Sequence, residues 1–251
     1  MRGLFEGVRD ARYIISSFIK MSTNLIRASQ SNQVVDLCYT LLSRTISLLP
    51  ESQTEENYHA LYRVTREKLI ASTCPQFDLS LTERLLSFGF SLEDILDLKA
   101  LLDSKNDDLK KVTLSIDDKW KIVTMVNAHE GVSREEAKLA FDALYEADES
   151  DSKKNNKLLI DALNTPQTER PTLLEEYFNK DTKMSYVELE HSIDGFCSHF
   201  KSTEIRKPYF AVFFDRIIDT MRVRSRQYAE VEFTINFNDS LDNLEWLVPI
   251  D

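Results

Sequence analysis

Apolar residues recur at steps of three and four along almost the whole chain, and this spacing restricts the fold more than any other feature. Leu4, Val8, Ala11, Ile15 and Phe18 mark one face of a helix. Val34, Leu37, Leu41 and Leu48 repeat the pattern up to Pro50, and Tyr58, Leu61, Thr65 and Leu69 form a third face that ends near STCPQ (72–76). Later stripes run through Leu189, Ile193, Phe196 and Phe200, then through Phe210, Phe214, Ile217 and Met221. Only VEFTINF (231–237) alternates at period two. A lone strand would have no partner in such a chain, so this segment is read as a terminal helix.

The residues between the stripes punctuate helices. Two shorter segments, LTERLLSFG (81–89) and SLEDILDLKALLDS (91–104), follow the third face, and Ser91 with Asp94 forms an acidic N-cap signal. DDKWKIVTMVNAHEG (117–131) is expected to be a helix that stops at Gly131 in a left-handed conformation. Ser133 and Glu136 then make an S-x-x-E capping box, with Ala137, Phe141 and Leu144 as the buried face of the next helix. SDSKKNNKLLIDALN (150–164) is a polar turn and a short helix, and Pro166 and Pro171 bracket the connection to PTLLEEYFNK (171–180). With 5 glycines and 6 prolines in 251 residues, the chain has little material for phosphate loops or serial hairpins. The predicted fold is all-α: about a dozen helices of roughly 10 to 20 residues in antiparallel pairs, an α-solenoid of the HEAT or armadillo kind with degenerate repeats. No Pro-, Gly- or Ser-rich linker divides it, so residues 1–251 are expected to form a single domain.

Charge narrows the partners. The formal net charge of −11 disfavours nonspecific nucleic-acid binding and anionic membrane surfaces. Cys38, Cys74 and Cys197 are scattered without CxxC spacing, which suits free thiols in a reducing compartment. No apolar run reaches ~18 residues and the N-terminus lacks a signal-peptide pattern, so the expected location is cytoplasmic.

Motifs that carry chemistry are sparse. His129 and Glu130 imitate the start of the zincin helix H-E-x-x-H, but Ser133 stands where the second imidazole belongs. The pair is read as part of a helix–turn–helix joint. ADESD (147–151) lacks the alternating acids and distal Glu of a calcium loop. His191 and His199 lie eight apart, too far for direct co-ligation. No G-x-S-x-G occurs, and no cysteine has a histidine at motif spacing. One basic cluster, DRIIDTMRVRSRQ (215–227), holds Arg216, Arg222, Arg224 and Arg226. Arg222 and Arg226 are four apart on one helix face and are candidate contacts for a carboxylate such as a peptide C-terminus; the alternative is a solvated face paired with Asp215 and Asp219.

The order of segments carries a resemblance. LFEGVRDARYI (4–14), LKALLDS (98–104) and LSIDDKWKIVTMVNAHEG (114–131) come first. SREEAKLAFDALYEAD (133–148), NNKLLIDALNTPQ (155–167), RPTLLEEYFNK (170–180), LEHSIDGFCSHF (189–200) and KPYFAVFFDRI (207–217) follow. Together they resemble the helical C-terminal domain of zinc aminopeptidases of the aminopeptidase N class. The resemblance implies HEAT-like helix pairs that cap a catalytic domain, enclose the cavity over its zinc and limit substrates by size. The family's H-E-x-x-H and G-A-M-E-N belong to preceding domains and do not occur here, so it places no catalytic residue or metal ligand in this chain. Zinc and peptide hydrolysis belong to the parent enzyme. The partners implied are the catalytic domain of the same polypeptide and a peptide substrate. Arg9 and Asp10 match the family's Arg-Asp pair and are read as a structural ion pair. Two other readings stay open: a free-standing α-solenoid that binds protein partners, and a hydrolase with an unrecognised site. Apolar Leu4, Phe5 and Val8 without a polar capping segment favour the cap domain over the free-standing solenoid.

Overall fold

The computed structural model describes residues 15–46, 49, 51–179 and 181–198, together with Ile205, Pro208, Tyr209, Val212 and Arg216. The described residues are all-α, as the periodicity predicts. Among the described residues ten helices follow one another: α1 (Ile15–Ala28), α2 (Asn32–Ile46), α3 (Glu51–Ala71), α4 (Pro75–Phe88), α5 (Leu92–Leu102), α6 (Ile116–Ala128), α7 (Arg134–Ala147), α8 (Lys153–Leu163), α9 (Arg170–Phe178) and α10 (Tyr186–Phe196). A single 3₁₀ turn, Asp107–Leu109, lies between α5 and α6. No described helix is long and apolar enough to cross a membrane. The apolar face of the first stripe before Ile15, the stripe from Phe210 to Met221, and VEFTINF lie outside the described residues.

The chain resolves into two compact units, Met1–Ile122 and Val123–Asp251. In the first, α1 packs on α2 and on α3, α2 on α3, and α3 on α4. From α1 to α4 each helix thus touches the next in sequence, and α1 also touches α3, a pattern compatible with a solenoid-like arrangement of helices. Three-residue links (29–31 and 72–74) force each consecutive pair to fold back on itself. The core of this unit takes Phe18 and Ile26 from α1, Leu61, Thr65 and Leu69 from α3, and Leu81 and Leu85 from α4, each nearly or completely buried. The third sequence stripe is therefore the face that packs, and Tyr58 at its start stacks on Phe90 with ring centroids 4.6 Å apart.

Of the α2 stripe Leu41 is buried as expected and Leu48 lies outside the described residues, but the packed face is centred one residue further along than Val34 and Leu37. Val35, Cys38, Leu42 and Ile46 are fully buried, whereas Val34 and Leu37 are only partly covered. Both sets repeat at helical spacing, and a one-residue offset turns the face by about 100°. Spacing alone could not choose between them, because Cys38 and Tyr39 do not count as conventional apolar positions. Tyr39 is also fully buried; its hydroxyl lies 2.9 Å from that of Thr65, and burial pushes the phenol up to about 12.

Helix ends follow local chemistry. The Ser91 hydroxyl accepts from the Asp94 N–H while the Asp94 carboxylate accepts from the Ser91 N–H, a complete capping box on α5. At α7 the box is half formed. Ser133 accepts from the Glu136 N–H, but the Glu136 carboxylate accepts from the Ser133 hydroxyl rather than from its N–H. Pro75 and Pro171 sit in the first turns of α4 and α9, so α4 begins six residues before the LTERLLSFG segment.

Gly131 does not take the left-handed conformation expected of it, since no described glycine has positive φ. The α6 end is closed instead by the His129 ring, whose Nδ1 accepts from the Gly131 N–H at 3.0 Å. Among the described residues it is Ser104, φ 58°, just beyond α5, that is left-handed. The Lys105 N–H donates to the Ala100 carbonyl at 2.8 Å and the Ser104 N–H to that of Leu101 at 3.1 Å, which is the Schellman pattern with serine where glycine is usual.

In the second unit α10 packs against α8 over most of its length. Gly195 makes this possible: a Cβ there would lie 2.8 Å from the Leu159 carbonyl carbon and closer still to its oxygen. The core joins Ala162 of α8, Leu174 and Tyr177 of α9, and Leu189, Ile193 and Phe196 of α10. The three described members of the Leu189 stripe are thus the packing face. Beside them Arg170 is buried, its guanidinium 4.1 Å from the Phe196 ring centroid and hydrogen-bonded to the Phe196 carbonyl.

Candidate functional site

Three places gather polar side chains. The first lies between α3 and α5 in the first unit. His59, Tyr62 and Arg66 occupy one edge of α3 and meet Asp94 and Asp97 of α5. The His59 Nδ1 stands 2.7 Å from Asp94 Oδ1 and 3.1 Å from the Ser91 hydroxyl. Serine, histidine and aspartate are the elements of a nucleophilic triad, but such a triad needs the carboxylate on one ring nitrogen and the serine on the other. Here both crowd Nδ1, and Nε2 faces Glu93 at 3.9 Å. The Ser91 hydroxyl is already the cap of α5, so the trio clamps a helix start to α3 and does not form the serine–imidazole–carboxylate chain of a triad.

One turn further along, Asp97 is a hub. It accepts from the Tyr62 hydroxyl at 2.6 Å, from Arg66 Nε at 2.9 Å and from the Asn106 amide at 2.8 Å. Arg66 also reaches Asp108 at 3.0 Å, tying in the 3₁₀ turn. Burial, together with the hydrogen bond to Asp97 and its charge, raises the Tyr62 phenol far above its ordinary range. Sequence reading missed this network. His59 and Asp94, Tyr62 and Asp97, and Arg66 and Asp97 are 31 to 35 residues apart, and no short motif spans that interval.

The second place is a cleft of about 430 Å³ where α1 and α3 end and α4 begins. Arg27 pairs with Glu67 across it at 3.3 Å, and Lys68 donates to the Ser29 carbonyl at 2.8 Å. Cys74, the one exposed thiol of three free cysteines, lies at its rim.

The third is a cleft of about 650 Å³ in the second unit. It is walled by the end of α6, the exposed side of α7, the end of α8 and the turn into α9. Phe141, Ile160 and Leu163 supply apolar lining, while His129, Arg134, Lys138, Asp142 and Gln167 supply polar groups of both signs. Asn127 fixes the walls together: its amide donates to the Val123 carbonyl at 2.9 Å and the Ala137 carbonyl at 3.3 Å, and accepts from Asn164 at 3.1 Å. Lys138 is held toward Asp142 at 3.6 Å. Of the helix–turn–helix joint read from the sequence, Ala137 and Leu144 are buried as expected and Phe141 is partly exposed against Tyr145. This volume and mixture suit a small molecule or a few residues of extended peptide.

The sequence candidates fare unequally. Arg222, Arg224 and Arg226, and the Arg9–Asp10 pair, lie outside the described residues, as do Asp215, Asp219 and His199. Arg216, the described member of the basic cluster, pairs with Glu175 and rests 4.3 Å from the Phe178 ring centroid. It therefore belongs to a contact with α9. In the ADESD segment Asp148 is buried and accepts from the Ser150 N–H at 2.8 Å, an Asx turn that opens toward α8. Among the described residues no three His, Cys, Asp or Glu side chains are placed to hold a metal ion. On α10, burial together with the charge of Glu190 one turn earlier raises Asp194 to about 6. No family model matches the chain, and no curated protein matches it.

Proposed function

We propose that this chain is the non-catalytic helical C-terminal domain of a zinc-dependent aminopeptidase of the aminopeptidase N class, a cytoplasmic enzyme that removes N-terminal residues from peptides. The observation that carries this reading is the order of segments. LKALLDS, LSIDDKWKIVTMVNAHEG, SREEAKLAFDALYEAD, NNKLLIDALNTPQ, RPTLLEEYFNK and LEHSIDGFCSHF fall in unbroken succession on the helices from α5 to α10. In such an enzyme the catalytic domain holds the zinc, which polarises the scissile carbonyl and activates water. The helical domain closes the chamber over that site and holds the far end of the peptide. Arg222 and Arg226 are the proposed contacts for a peptide carboxylate, and the cleft bounded by Arg134 and Phe141 is a second surface suited to peptide.

The purified chain is expected to contain no stoichiometric zinc and to release no amino acid from aminoacyl or peptide substrates. Stoichiometric zinc by atomic emission, or activity that a chelator abolishes, would place the chemistry in this chain and overturn the reading. The alternative, a free-standing helical scaffold, draws on Leu92 and Leu96. These are exposed one turn apart on α5 and suit a protein contact.

A further inference from the structure

We draw no further inference here: the strongest candidate, the exposed Cys74 thiol at the start of α4 in the cleft beside Lys68, combines a lone cysteine with a helix N-terminus, and no second feature of that cleft points to a ligand.

Discussion

Gly195 of α10 presses its bare Cα against the backbone of Leu159 in α8, leaving no room for a side chain between the two helices. In an exposed helix interior, Gly→Ala stabilises by about 0.8–1 kcal/mol. Here the sign reverses, because the atoms in the way are main-chain atoms that cannot rotate aside. Gly195→Ala is expected to cost at least about 2 kcal/mol in urea unfolding, and Gly195→Val more. A neutral or stabilising Gly195→Ala would show that α8 and α10 are not in such close contact.

Ser104 gives the opposite case. A serine at φ 58° carries a Cβ that the left-handed region disfavours, while its N–H and that of Lys105 complete the end of α5. Ser104→Gly is expected to raise stability by about 0.5–1 kcal/mol, part of the conformational gain being lost to the more flexible unfolded chain. Thermal unfolding monitored at 222 nm measures it. A fall in Tm would mean that the Schellman turn does not form.

The Tyr62 hydroxyl donates to a carboxylate that Arg66 and Asn106 also hold. Tyr62→Phe removes one charge-assisted bond and leaves Asp97 with its other partners, so the loss is expected to be about 1–2 kcal/mol. Asp97→Ala leaves Tyr62 without its acceptor and Arg66 with Asp108 as its remaining carboxylate, and is expected to cost more, about 3 kcal/mol. In a double-mutant cycle the two changes should be clearly non-additive. Additive losses would mean that the bond does not exist in solution.

Asp194 sets a pH dependence. Its carboxyl rises from 3.8 to about 6 in the folded chain, so the folded state holds the proton more tightly than the unfolded state. The associated penalty is absent below the unfolded pKa, accumulates as pH rises from about 3.8 to about 6, and is fully present above that. Allowing for solvent screening of a partly exposed group, it amounts to about 1 kcal/mol. Asp194→Asn is therefore expected to stabilise the protein at pH 7.5 and to do little at pH 3.5. Chemical denaturation at the two pH values checks this, and equal effects at both would contradict the assigned burial.

Particular residues show how far the sequence reaches. The Leu61, Thr65 and Leu69 face, the N-cap signal of Ser91 with Asp94 and the first-turn Pro171 of α9 were legible because each is a local rule acting within one or two helical turns, whereas Pro75, which opens α4, was taken for the end of α3. Leu41 of the expected α2 face is buried, but Val34 and Leu37 were misplaced by one position because Val34 and Val35 both head stripes of helical period, and only tertiary packing selects between them. Gly131 did not take its expected role, and Ser104 took one that periodicity does not signal: a histidine ring closed one helix end, and a Schellman pair of hydrogen bonds held a serine in the conformation usual for glycine. The α3 partners of Asp97 and the Asn127–Asn164 link of the α6–α8 cleft meet across 30 or more residues. Periodicity carries no information at that range.

The most direct test of the cap-domain reading is an immunoblot of source-cell extract with antibody raised against this chain. The expected result is a band far above 29.1 kDa that co-fractionates with aminopeptidase activity. A single band at 29.1 kDa, separate from any such activity, would contradict the account and leave a free-standing helical protein to be explained through its binding partners.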